Sequence, residues 1–91
     1  MNLRHIEVFH AVYQNGSVIS AAQTLNVSQP SVSKVLAHAE SKLGFLLFRR
    51  LRGRLVPTDE AHVLFREISE LHGRMQSIHK TAKNLKGGVT S

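Results

Sequence analysis

Gln29, Ser31, Ser33 and Lys34 fall within six positions of the 91-residue chain, and their side chains can read the edge of a nucleic-acid base. Gln donates and accepts as adenine requires, Lys donates to guanine acceptors, and Ser serves either base. Pro30, between them, offers an apolar surface to a thymine methyl. Farther on, Arg49, Arg50, Arg52 and Arg54 crowd into six positions, and guanidinium groups suit phosphate oxygens. The charge balance agrees. Twelve Lys/Arg against six Asp/Glu give a net charge of +6 and a pI near 10.6. Residues 1–57 carry seven Lys/Arg and two Asp/Glu, a net of +5, with no acid between Glu7 and Glu40. So long an acid-free stretch, followed by an arginine cluster, suits a surface that approaches phosphates.

Other chemistries find less support. The chain has six His and no Cys. His72 and His79 lie seven apart and His5 and His10 five apart, with no third ligand at metal-binding spacing, so neither a metal nor another cofactor is expected. Ser and His are plentiful, but no glycine-flanked nucleophile or general-base arrangement is present, and the chain is not expected to be an enzyme. A composition of 42% hydrophobic and 20% charged residues fits one folded domain rather than a disordered segment. The longest apolar stretch lies within 44–48 and the N-terminus lacks a signal-peptide core, so no membrane association is expected. The location implied is cytoplasmic, at the nucleoid.

The elements that must position these groups are mainly helical. Leu3, Ile6, Phe9, Val12 and Tyr13 predict a helix closed by Gly16 in the left-handed conformation. Ser17 caps a short second helix with Val18, Ala21, Ala22 and Leu25 on one face, ending at Asn26. Ser28 caps a third, with Pro30 in its first turn and Val32, Val35, Leu36, Ala39 and Leu43 as the apolar stripe, ending at Gly44. So short a link between the second and third helices forces a steep crossing, the helix-turn-helix arrangement. The stripe turns inward, leaving Gln29, Ser31, Ser33, Lys34 and, one turn on, Ala37 and His38 outside. The second and third helices carry no acid in their first turns, so their N–H groups remain open to phosphate. The runs 45–48 and 55–56, separated by 49–54, predict a β-hairpin with Gly53 at its bend and Arg52 and Arg54 nearest the tip. Arg49 or Arg50, nearer the strand, is expected to pair with Glu40 or cap the core.

Thr58 caps the last helix, with Asp59 and Glu60 in its first turn. Its apolar positions Ala61, Leu64, Ile68, Leu71, Met75, Ile78, Ala82 and Leu85 follow an unbroken alternation of three and four, a heptad seam. At ~1.5 Å per residue the stretch 59–86 is ~42 Å long, more than the rest of the chain can cover. The expectation is a homodimer through 59–86, with Leu64, Ile68, Leu71, Met75, Ile78 and Leu85 at the interface. The resulting division is 1–57 as a winged helix-turn-helix, 58–86 as a linker and dimerisation helix, and 87–91 as a flexible tail.

These residues resemble the LysR-type transcriptional regulators. The resemblance is carried by Ala21-Ala22, by Val27-Ser28-Gln29-Pro30-Ser31-Val32-Ser33-Lys34, by Glu40, Leu43-Gly44, Leu47-Phe48-x-Arg50 and Thr58, and by the opening Met1-Asn2-Leu3-Arg4. It extends over residues 1–85. It implies a bacterial DNA-binding domain that acts as a homodimer on inverted-repeat promoter sites. By position, Gln29, Pro30, Ser33 and Lys34 correspond to base-contacting residues; Ser17, Ser28, Ser31, Arg50, Arg52 and Arg54 correspond to backbone or minor-groove contacts. The family also implies a tetramer in a full-length protein and a small-molecule effector bound by a C-terminal domain that this chain lacks. Two departures stand out: Lys34 occupies a position that is usually Arg, and Pro57-Thr58-Asp59-Glu60-Ala61 replaces the usual Leu-Thr-x-Ala-Gly. The alternative is a basic protein-interaction module with a coiled-coil helix. RNA binding is disfavoured because the aromatics fall mostly on core stripes and leave no stacking platform.

Overall fold

The computed structural model describes residues 1–87; except for Gly87, the tail expected at 87–91 lies outside them. The chain runs α1 (Leu3–Asn15), α2 (Val18–Leu25), α3 (Gln29–Leu43), β1 (Phe48–Leu51), β2 (Arg54–Pro57) and α4 (Asp59–Lys86). It is the mainly α winged helix-turn-helix that the sequence predicts, long final helix included.

Every helix begins on a side-chain acceptor, as the local sequence dictates. Asn2 Oδ1 takes the His5 N–H at 2.8 Å, Ser17 Oγ that of Ser20 at 3.1 Å, Ser28 Oγ that of Ser31 at 3.3 Å, and Thr58 Oγ1 that of Ala61 at 3.1 Å. The first three helices end in left-handed residues, Gly16, Asn26 and Gly44, with φ of 75°, 58° and 83°. Only residues 26–28 separate α2 from α3. The core fills the angle between the helices: Val8, Phe9 and Val12 from α1, Ala21 and Ala22 from α2, and Val32, Leu36 and Ala39 from α3. Leu47, Phe48, Ala61 and Ile68 close it from the other side. The fully buried alanines at 21, 39 and 61 let helix backbones approach closely.

The hairpin is displaced from its expected place. Its first strand is Phe48–Leu51, not the apolar run 45–48, and it pairs antiparallel with Arg54–Pro57 in the register Phe48↔Pro57, Arg49↔Val56, Arg50↔Leu55 and Leu51↔Arg54. The physical reason is that backbone groups of the 46–48 stretch already have partners. The Leu47 and Phe48 N–H groups donate to Glu40 Oε2 at 2.7 and 3.4 Å. The Leu46 carbonyl accepts from the Thr58 hydroxyl at 2.8 Å, and the Leu47 carbonyl from the Thr58 N–H at 3.0 Å. Glu40, expected to pair with Arg49 or Arg50, thus ties α3 to the root of the hairpin. The turn is only Arg52-Gly53, both with positive φ (52° and 76°), a combination that matches the right-handed twist of the two strands.

α4 is joined to α1 by interleaved rings. His10 stacks on His72 with centroids 4.0 Å apart and on Phe65 at 5.2 Å, while Phe65 stacks on Tyr13 at 3.8 Å. The Tyr13 hydroxyl then lies 2.6 Å from His62 Nδ1. Rings from the two helices therefore alternate along one column. Beyond it α4 runs free, and the molecule measures 56 × 25 × 22 Å. No helix among the described residues is long and apolar enough to cross a membrane.

Candidate nucleic-acid interface

α3 turns Val32, Leu36 and Ala39 inward, and its opposite side carries the polar residues. Gln29, Pro30, Ser33 and Lys34 are all exposed. Pro30 sits in the first turn, where an N–H has no helical partner to lose. Beside this helix lies a recess of about 510 Å³ lined by Gly16, Ser17 and Ile19 at the start of α2, Gln29 and Ser33 on α3, and Arg50, Gly53 and Arg54 on the hairpin. Five of the ten residues expected to touch DNA thus converge on one concavity, although they span positions 17 to 54.

The hairpin register explains why Arg50 and not Arg49 lines it. Alternation along a strand puts Phe48 and Arg50 on one face and Arg49 and Leu51 on the other. Phe48 is buried, so its face is the one turned toward the helices, and Arg50 extends past the core into the recess; Arg54, opposite Leu51 on the other face, borders the recess from beside the turn. Arg52 projects from the tip. Ser28 is exposed at the α3 cap, whereas Ser31 is half-buried and its N–H is taken by Ser28 Oγ. The first turns of α2 and α3 hold no acid, while that of α4 holds Asp59 and Glu60. The two helix starts near the recess therefore keep their positive ends, as does that of α1, which also holds no acid in its first turn; only the start of α4 is neutralised.

His38 belongs to the same outward side, one turn beyond Lys34, and is exposed. Its Nδ1 lies 3.0 Å from Nε2 of His5, a buried residue of α1. Nothing in the sequence signals this contact, because 33 positions separate the two. Burial, reinforced by His38, the N-terminal amine and Lys42, holds His5 below the ordinary imidazole value of 6.5. No group of three or more metal-ligating side chains is present among the described residues.

The six residues expected at a dimer seam do not share one fate. Ile68 is only 5% exposed and sits in the domain's own core, with Leu64 packed against it. Leu71, Met75, Ile78 and Leu85 are 41, 53, 68 and 69% exposed. An unbroken heptad pattern therefore has two uses here: its first half faces the chain's own helices, and its free apolar stripe begins at Leu71.

Residues 3–62 match the sequence model of the bacterial regulatory helix-turn-helix proteins of the lysR family. The chain is 60% identical over 86 residues to the HTH-type transcriptional regulator DgcR of a Pseudoalteromonas species, covering 94% of this chain and 30% of that protein. It is 46% identical over 85 residues to the regulator AdmX of Serratia plymuthica, covering 93% and 28%. The chain thus spans less than a third of the length of these curated relatives. Its fold superposes on a crystal structure of the BenM DNA-binding domain with catB site 1 DNA at a TM-score of 0.85 and 28% identity, covering 97% of this chain and 99% of that one.

Proposed function

Because the chain belongs to the LysR family of bacterial regulatory helix-turn-helix proteins, we propose that it binds double-stranded promoter DNA as the reading domain of a transcriptional regulator. The observation that carries this reading is the recess itself. Base-reading groups (Gln29, Ser33) share one concavity with groups suited to phosphate, the open start of α2 at Ser17 and the hairpin arginines Arg50 and Arg54. Pro30 and Lys34 extend the reading edge along α3, Ser28 and Ser31 supply polar groups at its start, and Arg52 reaches the backbone or minor groove from the tip. In this reading residues 1–57 engage DNA and 58–86 join two copies. The domain carries out binding and no catalysis, at the nucleoid in the cytoplasm. Effector sensing and assembly to a tetramer belong to the remainder of such a regulator.

The mode of pairing follows from α4. Residues 59–70 hold four Asp/Glu and one Arg, while 71–86 hold four Lys/Arg and no acid. Two such helices side by side attract when antiparallel and repel when parallel. With Leu71, Met75, Ile78 and Leu85 as the shared stripe, the antiparallel arrangement sets two reading domains at opposite ends of a two-fold pair, a symmetry that matches an inverted repeat.

Binding to a mixed-sequence duplex across a salt series tests the reading. The logarithm of the binding constant should fall linearly with the logarithm of salt, by about 0.9 for each phosphate neutralised, so by roughly three per domain if the three hairpin arginines all engage. Equal affinity for single strands or acidic peptides would instead favour a basic protein-interaction module.

A further inference from the structure

The hairpin covers one flank of α3. At about 3.6 residues per turn, His38 lies ~140° round the helix from Ser33 and only ~40° from Lys34, on the flank away from the hairpin. A groove has a phosphate backbone on each side; the hairpin arginines serve the first, and on the second only the short side chain of Ser31, two turns before His38 and ~20° from it, has been described. We propose that His38 donates from Nε2 to a DNA phosphate there, and that His5 is the positioning residue that holds its ring in the donating form. The assignment rests on the DNA-binding reading above.

The chain of hydrogen bonds fixes every proton in it. The Asn2 N–H points at His5 Nδ1 at 3.3 Å. A backbone N–H can only donate, so Nδ1 carries no proton. A neutral His5 then has its proton on Nε2, which lies 3.0 Å from His38 Nδ1. The reverse polarity would leave both nitrogens of His5 accepting, which requires an imidazolate. His38 Nδ1 is therefore the acceptor, and the His38 proton sits on Nε2, at the far side of an exposed ring. The anchor is firm: Asn2 Oδ1 reciprocates by taking the His5 N–H at 2.8 Å, closing a capping box at the start of α1. His5 is buried, and burial together with His38, the N-terminal amine and Lys42 keeps it neutral near pH 7. His38 thus presents a donor whose direction is set before DNA arrives, so little rotational freedom is lost on contact. Phosphate oxygens accept from neutral N–H groups as well as from cations.

The test uses the full chain, a mixed-sequence 40-base-pair duplex and fluorescence anisotropy at pH 7.5. His38→Ala is expected to weaken binding about tenfold, the loss of one hydrogen bond to a charged acceptor, with an unchanged salt slope because a neutral donor displaces no counterion. His38→Gln, which places an amide N–H at similar reach, should recover most of the loss. His5→Phe keeps a ring in the core but breaks the relay; it should weaken binding comparably, and the double variant His5→Phe/His38→Ala should be no weaker than His38→Ala. Nitrogen chemical shifts should give the Nε2–H form for both rings. An affinity of His38→Ala within twofold of wild type, a salt slope reduced by about 0.9, or an Nδ1–H form at His38 would overturn the assignment while leaving the DNA reading intact. A wild-type chain that binds no duplex would overturn both.

Discussion

Lys34 and Gln29 differ from the hairpin arginines in what they would contribute. Lys34 is a point charge on a flexible stem where a guanidinium fork would fix two bonds to one base, so its preference for guanine should be broad. Lys34→Ala and Gln29→Ala should each weaken binding to a selected duplex by roughly 1–3 kcal/mol and flatten the difference between that duplex and its single-base variants. Competition binding against a panel of such variants checks this; uniform weakening across the panel would make them anchors instead of readers. The outward placement of both residues is legible in the amino-acid sequence, since the caps and stripe of α3 determine which side faces out. The contacts of Glu40 and His5 are not. Their partners, the Leu47 and Phe48 N–H groups and His38, come within reach only once the chain has turned back on itself, and no local pattern records that.

At the scale of elements, the hairpin tip contains a conflict. Arg52 is held at φ 52°, a conformation that disfavours a side chain with a Cβ by about 1–2 kcal/mol and that Asn tolerates better. Arg52→Asn should therefore raise the melting temperature by several degrees, about 4–8 °C per kcal/mol for a domain this small. It should also weaken all duplexes alike and lower the salt slope. A lower melting temperature would show that the arginine has a structural partner. The four helices can be placed from caps and periodicity almost to the residue. The strand cannot, because an apolar run of four reads the same whether it pairs in a sheet or serves as a buried connector. Here Glu40 and Thr58 decide it, by occupying the backbone groups that a strand over 45–48 would have needed.

The whole molecule depends on how α4 is joined to the reading domain. Burial, and secondarily the neighbouring His72, lower the affinity of His10 for a proton below the ordinary imidazole value of 6.5. The native state then binds fewer protons than the unfolded chain as pH falls past that value, so stability present above pH 6.5 is lost on acidification through the folded-state value. The melting temperature should be level above pH 7.5 and fall toward pH 5.5. His10→Phe, which can still stack between Phe65 and His72, should show a smaller fall; an equal fall would place the acid sensitivity elsewhere, with His5 the next candidate. Leu71→Lys, at the first free position of the stripe, should leave monomers in sedimentation without lowering the melting temperature by more than a few degrees. Persistent dimers would exclude the stripe as the contact. The sequence pattern cannot divide α4 in this way, because a leucine facing its own core and one facing a second copy are chemically the same.

In the proposed dimer, with the first half of α4 clamped to the core and its second half left clear, the helix would act as a ruler for the distance between two DNA-reading heads. Seven residues added between Ile68 and Leu71 would lengthen each arm by ~10 Å while rotating the stripe by only ~20°. In an antiparallel pair the heads would separate by ~20 Å, about six base pairs at 3.4 Å each. Six base pairs is about half a helical turn, so the second half-site would face the other side of the duplex; the altered protein should lose tight binding at the original spacing, with the choice of bases by each head unaltered.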